Sequence, residues 1–117
     1  MATRKHYLKH KEAARALVHE RAAYFADAHG FSYKRIAIRN TRRSWGSCSE
    51  HGNLNFNYKI VFLPRALADY LIVHELCHLR EFNHSPAFWA HVEAIIPDHK
   101  EKRRLLKKVE KLPLRFS

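Results

Sequence analysis

The segment that most constrains the fold is His74-Glu75-Leu76-Cys77-His78. Two histidines four residues apart lie side by side if the chain between them is helical, because residues i and i+4 share one face of an α-helix. Both imidazoles can then bind one metal ion, while Glu75 is rotated by about 100° around the helix axis. The pattern H-E-x-x-H is a known zinc-hydrolase motif, in which the glutamate activates the metal-bound water. A metal-binding helix is therefore expected around residue 75.

The residues before this motif also predict a helix. Pro64 suits a first helical turn, where its missing N–H costs no hydrogen bond. Apolar side chains then recur at helical spacing to about residue 82. These side chains are Leu67, Leu71, Ile72, Leu76 and Leu79. The motif is therefore expected inside an amphipathic helix.

A third histidine, His84, follows six residues after His78. This interval matches the H-E-x-x-H-x-x-G-x-x-H spacing of the metzincin group of zinc enzymes. Glu81 stands where that pattern has glycine, so Phe82 and Asn83 are expected to make the turn. Asn83 suits this task because asparagine tolerates left-handed backbone conformations.

The favoured ligand set for a zinc ion, Zn²⁺, is His74, His78 and His84. A rival third ligand lies on the following predicted helix, since Glu93 would give a site of two histidines and one carboxylate. His91 is a further rival there. Glu75 is expected to be the catalytic general base.

The N-terminal half predicts a helix followed by a small sheet. Residues 8–29 form an amphipathic pattern that Gly30 can end. Alternating apolar residues predict strands at residues 33–39 and 53–59, with a turn signal at residues 51–53. The polar stretch 42–50, rich in Ser and Gly, predicts a loop. A small antiparallel sheet is therefore expected between residues 33 and 62.

Two helices are predicted after the motif. Ser85 can cap the first of them with Pro86 in its first position, and Pro97 ends it. Asp98 and Glu101 resemble a capping box at the start of a basic helix. Its apolar stripe consists of Leu105, Leu106, Val109 and Leu112. The order of helix, small sheet and three helices predicts an α+β fold in one domain, residues 1–117.

Positive charge is the unusual bulk property. The chain has 22 Lys and Arg against 11 Asp and Glu, a formal net charge of +11. Much of it lies toward the ends, on Arg4, Lys5, Lys9, Lys11, Lys100, Lys102, Arg103, Arg104, Lys107, Lys108, Lys111 and Arg115. These residues form either a solvated helix face or a surface that attracts nucleic acid or an acidic substrate.

Cysteine usage and hydropathy predict the compartment. Cys48 and Cys77 are too few for a disulfide framework and predict reduced thiols. The N-terminus lacks the apolar run of a secretory signal, and no apolar stretch is long enough to span a bilayer. A cytoplasmic location without membrane attachment is the expectation.

Four runs of residues occur together in this chain. They are Ser44-Trp45-Gly46-Ser47-Cys48-Ser49, Gly52-Asn53-Leu54-Asn55-Phe56-Asn57, His74-Glu75-Leu76-Cys77-His78-Leu79-Arg80-Glu81 and Asn83-His84-Ser85-Pro86-Ala87-Phe88-Trp89. In combination they resemble the YgjP-like zinc metallopeptidase family, related to the SprT-like and WLM domains, over about residues 33–97. The resemblance implies a zincin-like fold, zinc on the three histidines and Glu75 as general base. SprT-like relatives cleave proteins crosslinked to DNA.

The predicted function is zinc-dependent hydrolysis of peptide bonds, with the zinc-bound water activated by Glu75. One alternative is a nucleic-acid-associated zinc protein, either a SprT-like DNA-linked protease or a binding module with a closed structural zinc site. Another is a zinc hydrolase of non-peptide amides or esters. The candidates for stabilising an oxyanion are Tyr58, His51, His91 and Arg80. The strand at residues 53–59 is either an edge that pairs with an extended peptide or an ordinary core strand.

Overall fold

The computed structural model describes residues 3–41 and 44–110. In chain order its elements are α1 (Arg4–His29), β1 (Arg35–Arg39), β2 (Gly46–Cys48), β3 (Asn53–Asn57), a 3₁₀ helix (Tyr58–Phe62), α2 (Arg65–Cys77), α3 (Pro86–Ile95) and α4 (His99–Glu110). The α+β prediction is confirmed. Residues 42–43 of the polar stretch, and Lys111, Leu112 and Arg115, lie outside the described residues.

Helix α1 begins earlier than predicted because Thr3 caps it. The Thr3 hydroxyl accepts a hydrogen bond from the backbone N–H of His6 at 3.1 Å. At the other end, Gly30 adopts a φ of 73° and its N–H bonds to the Ala26 carbonyl, as a left-handed helix cap requires. Small residues on its inner face let neighbouring elements approach the helix closely.

The sheet has the strand order β1-β3-β2. Strands β2 and β3 are antiparallel, but β1 pairs with β3 in parallel, with Ile36 opposite Leu54 and Ile38 opposite Phe56. The prediction of a wholly antiparallel sheet is therefore wrong. Strands β1 and β2 run in opposite directions but do not pair with each other, because β3 lies between them. Strand β2 comes from the stretch predicted as a loop, because its three residues carry no apolar alternation.

Strand β3 ends at Asn57, earlier than predicted. The Asn57 side chain accepts a hydrogen bond from the Lys59 N–H at 3.0 Å and donates one to the Thr41 carbonyl at 2.9 Å. These bonds begin the 3₁₀ helix, which carries Tyr58 and Ile60 into the core. Strand β3 is paired on both sides, so of the two readings of residues 53–59 the core strand is confirmed and the edge is not, and β2 is an edge.

Helix α2 lies at the centre of the fold and contacts α1, β2, α3 and α4. Its apolar face joins the inward side chains of the sheet and of α1 in one core. Arg21 of α1 binds Asp69 of α2 through two hydrogen bonds, of 2.8 and 3.0 Å, which fix the two helices against each other. No helix in the described part of the chain is long and apolar enough to cross a membrane.

Candidate metal centre

The metal-binding motif lies at the C-terminal end of α2. His74 is half-buried on the last full turn, and His78 is the buried residue that follows the helix. The His78 N–H bonds to both the His74 carbonyl (3.3 Å) and the Glu75 carbonyl (3.2 Å). This shared bond tightens the chain toward 3₁₀ geometry. Helix α2 therefore ends at Cys77 and not near residue 82 as predicted.

The turn after α2 carries the chain to His84. It is built from backbone bonds between Leu79 N and Leu76 O, and between Arg80 N and Cys77 O, each of 3.0 Å. No non-glycine residue in the described ranges has a positive φ, so Asn83 does not adopt the left-handed conformation expected of it. The chain leaves the helix through turn residues 78–80, and Phe82 and Asn83 form the expected bend before His84 without a left-handed residue.

The three histidines converge through their Nε2 atoms. His84 Nε2 lies 3.1 Å from His78 Nε2 and 3.3 Å from His74 Nε2. The candidate ligand atoms of the three residues all lie within 4.8 Å of one another, and they form the one such group among the described residues. A tetrahedral zinc ion with Zn–N bonds of about 2.0–2.1 Å holds its ligand nitrogens about 3.3 Å apart. The donor set therefore fits a metal ion of this size and geometry.

The orientation of His78 is fixed by the backbone. Its Nδ1 lies 3.0 Å from the Glu81 carbonyl oxygen. A proton on Nδ1 donates to that carbonyl, which leaves the Nε2 lone pair free to bind a metal. The main chain of Glu81, and not its carboxylate, provides this contact.

Burial favours the neutral form of these imidazoles. It lowers the pKa of His74 to about 3, and the charges of His78, His84 and Arg103 act in the same direction. Burial also lowers the pKa of His78. Both rings are therefore neutral at pH 7, the form in which imidazole binds metals.

Two aromatic residues of α3 pack against the ligands. Phe88 stacks on His78 with the ring centroids 4.4 Å apart, and Trp89 stacks on His84 at 5.8 Å. Ser85 accepts a hydrogen bond from the Phe88 N–H at 3.3 Å, which confirms the predicted cap of this helix. The cap therefore sets the position of the rings that support the site.

Glu75 lies beside the ligands and is buried. Burial raises the pKa of its carboxyl group to about 8. Within residues 3–41 and 44–110 its carboxylate forms no hydrogen bond. The nearest part of the sheet is Gly46 of β2, where a Cβ atom would lie 3.3 Å from Glu75 Cγ. The edge strand and the candidate base are thus in direct contact.

Several sequence candidates lie away from this group. The Tyr58 hydroxyl pairs with His6 Nδ1 at 2.7 Å in the core beneath α1. Arg80 donates to the His29 carbonyl at the end of α1 and lies over Phe31. Neither side chain is available to stabilise an oxyanion at the histidines.

The rival ligands are also placed by the structure. Glu93 is exposed on α3, and the group of converging ligand atoms includes neither Glu93 nor His91. Cys48 and Cys77 are free, as expected. Burial raises the pKa of Cys48 to about 11 and that of Cys77 to about 12, so both are thiols at neutral pH.

Two residues near the centre were not predicted. Tyr70 lies one helical turn before His74, with the ring centroids 6.0 Å apart. Arg103 of α4 places its guanidinium carbon 5.3 Å from the centroid of the Trp89 ring. The helical spacing of Tyr70 from His74 was a usable signal. Arg103 is on a different element, so no local pattern indicated its approach.

Comparison with known proteins agrees with this geometry. Among solved structures, the chain is similar to the metallopeptidase zymogen of Pyrococcus abyssi abylysin, with a TM-score of 0.71 and 26% identity over 80% of this chain and 95% of that chain. It also has the fold of the metallopeptidase zymogen of Methanocaldococcus jannaschii jannalysin, with a TM-score of 0.59 and 19% identity over 82% and 96% of the two chains. The comparison with curated proteins gave no match.

The family comparison covers most of the chain. A model described as the YgjP-like metallopeptidase domain matches residues 3–109. The match extends the resemblance seen in the sequence to α1 and to nearly all of α4. The chain therefore belongs to the YgjP-like metallopeptidase family, and it is a metal-dependent peptidase with a zincin-like fold.

Proposed function

We propose that this chain hydrolyses peptide bonds with a zinc ion held by His74, His78 and His84, and with Glu75 as general base. The observation that carries the proposal is the convergence of three Nε2 atoms beside a buried carboxyl group on the same helix. The family model supports peptidase chemistry in general. The assignment of the zinc ligands and the general base to particular residues rests on the geometry of the site.

Zinc is the metal that this donor set favours. Three neutral imidazoles suit zinc, whereas calcium and magnesium prefer oxygen ligands. When bound in a three-ligand site, zinc supplies a Lewis acid and an open position at which the pKa of water falls toward neutrality. The remaining chemistry is performed by side chains of this protein.

Glu75 is the residue placed to move protons. Burial raises the pKa of Glu75 to about 8, and the positive charge of a bound zinc ion would favour the ionised form. That carboxylate is free of hydrogen bonds among the described residues, so an oxygen is available to take a proton from the attacking water. The same oxygen then delivers that proton to the leaving amine. Gly46 leaves room for the carboxylate because it has no side chain.

Strand β2 is the surface best placed to align a substrate. It is an edge of the sheet, and its residue Gly46 contacts Glu75. An extended peptide that adds to this edge would bring its backbone beside the candidate base. The Tyr70 hydroxyl is a candidate to stabilise the developing oxyanion, because its ring lies against His74.

The open ligand set favours catalysis over a structural zinc site. Structural sites have four protein ligands, whereas the group found in the described part of this chain has three. A nucleic-acid module built around a closed zinc site is therefore disfavoured. A hydrolase of non-peptide amides remains the second candidate, and the experiment below includes it.

The test compares Glu75→Gln with Glu81→Gln as a matched control. Both variants are expected to bind one equivalent of zinc. Glu75→Gln should lose about 10²–10⁴-fold in cleavage of a peptide library, whereas Glu81→Gln should retain activity because its main chain, not its carboxylate, contacts His78. Equal activity of Glu75→Gln and wild type would refute the base assignment. Glu75-dependent hydrolysis of small amides or esters without any peptide cleavage would favour the second candidate.

A further inference from the structure

Helix α4 presents a strongly basic surface to solvent. Its inner side chains, such as Leu106, pack on the core, and five exposed basic residues recur at intervals of three and four. We name these residues the basic face of α4: Lys100, Arg103, Arg104, Lys107 and Lys108. Residues with this spacing share one side of a helix.

Most of this charge is not neutralised within the protein. Arg104 binds Glu101, and Lys102, beside the basic face, binds Asp98 at 2.9 Å. The other four residues of the basic face form no salt bridge within the described ranges 3–41 and 44–110. Such a surface attracts anionic partners, and the attraction weakens with salt.

One end of the basic face reaches the metal centre. The Arg103 guanidinium carbon lies 5.3 Å from the Trp89 ring centroid, which is itself 5.9 Å from the His74 ring and 5.8 Å from the His84 ring. Arg103 is therefore the basic residue at the rim of the site.

The surroundings favour a polypeptide over a nucleic acid. Surfaces that bind single-stranded nucleic acid combine basic residues with exposed aromatic rings. Helix α4 contains no Phe, Tyr or Trp, and the exposed aromatics Tyr24 and Phe62 lie on other elements. The exposed Phe82 stacks on His78 at the metal centre and is not part of α4. Arg103, in contrast, lies over the Trp89 ring that packs against His74 and His84, so its charge is close to a polypeptide held at the metal centre.

We propose that the basic face of α4 selects polypeptide substrates with acidic residues beside the scissile bond, and that Arg103 binds the carboxylate nearest the metal centre. The inference rests on the proposed peptidase function and names its substrate class. From Arg103 to Lys108 the helix axis rises about 7.5 Å, which corresponds to about two extended residues. The selected segment is therefore short, with its first acidic residue at Arg103.

The test uses the full-length, zinc-loaded protein and two peptides with one scissile sequence. One peptide carries Asp and Glu on one side of the cleaved bond, and the other carries Asn and Gln. Wild type should cleave the acidic peptide with a higher kcat/KM. Arg103→Gln should reduce that preference about fivefold, the range of an exposed charge pair, and Arg103→Lys should largely restore it. Lys9→Gln, the same charge change on α1, should leave the preference unchanged.

Binding to the inactive Glu75→Gln protein separates this inference from the proposed function. Fluorescence anisotropy at about 150 mM salt should show tighter binding of the acidic peptide, lost when Arg103→Gln is added. That binding pattern without any cleavage by wild type would support the surface and contradict the peptidase. If wild type and Arg103→Gln both cleave the two peptides with the same preference for the acidic one, the inference is overturned and the proposed peptidase function still holds. Tighter, Arg103-dependent binding of a short DNA duplex than of the acidic peptide would also overturn it.

Discussion

Gly46 and Glu75 are in contact across the interface between β2 and α2. A Cβ atom on Gly46 would lie 3.3 Å from Glu75 Cγ and only 2.8 Å from the Asn55 carbonyl oxygen. The second contact is with the backbone of the central strand, which cannot move aside without disturbing its pairing. The absence of a side chain at Gly46 is thus a condition for both the sheet and the position of the carboxylate.

Gly46→Ala is therefore expected to destabilise the protein by about 1–3 kcal/mol, because an added methyl group must displace strand or helix. Peptide cleavage should fall by more than the unfolded fraction explains. Urea unfolding and kcat/KM measure the two effects separately. Ser47→Ala on the same strand is the control. It should lower the free energy of unfolding by less than Gly46→Ala does, since Ser47 is exposed. Unchanged stability and activity in Gly46→Ala would show that this contact is not limiting.

His84→Ala should abolish tight zinc binding, because it removes one of three converging nitrogens. Zinc at about 100 times its Kd should raise the free energy of unfolding of the wild type by about 2.7 kcal/mol. The Glu93→Gln protein should gain the same amount. His84→Ala should show no such gain at that concentration. Its metal-free stability should match wild type, since His84 is exposed. A gain lost in Glu93→Gln and kept in His84→Ala would identify the carboxylate as the third ligand.

Trp89→Ala should weaken zinc binding about tenfold, the lower range for residues that orient metal ligands. Trp89 stacks on His84 at 5.8 Å and on His99 at 5.4 Å, so it links the exposed ligand to α4. Competition with a chromophoric chelator measures the affinity. Trp89→Phe retains an aromatic ring and should change the affinity by less than about threefold. Equal zinc affinity in all three proteins would rule out this supporting role.

Alkylation of Cys48 should be slow at neutral pH. Burial, and secondarily the charge of Glu75, raises its pKa to about 11 from an ordinary value of 9.0. The thiolate fraction at pH 8 is therefore about a hundredfold lower than for an unperturbed cysteine, and the thiolate is the reactive form. The rate of reaction with iodoacetamide should rise about tenfold per pH unit up to about pH 11. Rapid modification at pH 7 would contradict a half-buried thiol with a raised pKa.

The elements with strong local signals could be predicted from the sequence. The spacing of His74, His78 and His84 depends on one helix and the turn after it, so local sequence was enough to bring them together. Ser85 as a helix cap was predictable for the same reason. The residue at which α2 ends could not be predicted, because the bifurcated hydrogen bond from the His78 N–H is a detail of backbone geometry.

Features that depend on distant parts of the chain were missed. The parallel pairing of β1 with β3 requires β2 to pass to the far side of β3, and no residue in either strand encodes that path. Strand β2 is held by pairing with β3 and by contact with Glu75, not by its own weak pattern. Arg103 reaches the metal centre only through the packing of α4 on α2.

Strand β2 is only three residues long, and this sets a limit on how the enzyme can hold its substrates. Each backbone hydrogen bond that a peptide forms with such an edge contributes about 1 kcal/mol net. Fixing each residue of a flexible peptide costs about 1–2 kcal/mol. In the proposed function, pairing with β2 would therefore set which bond faces Glu75 and would supply little affinity of its own. Chains that are already extended before they arrive, such as loops strained open within a larger protein, avoid most of that ordering cost and are the forms this edge can capture.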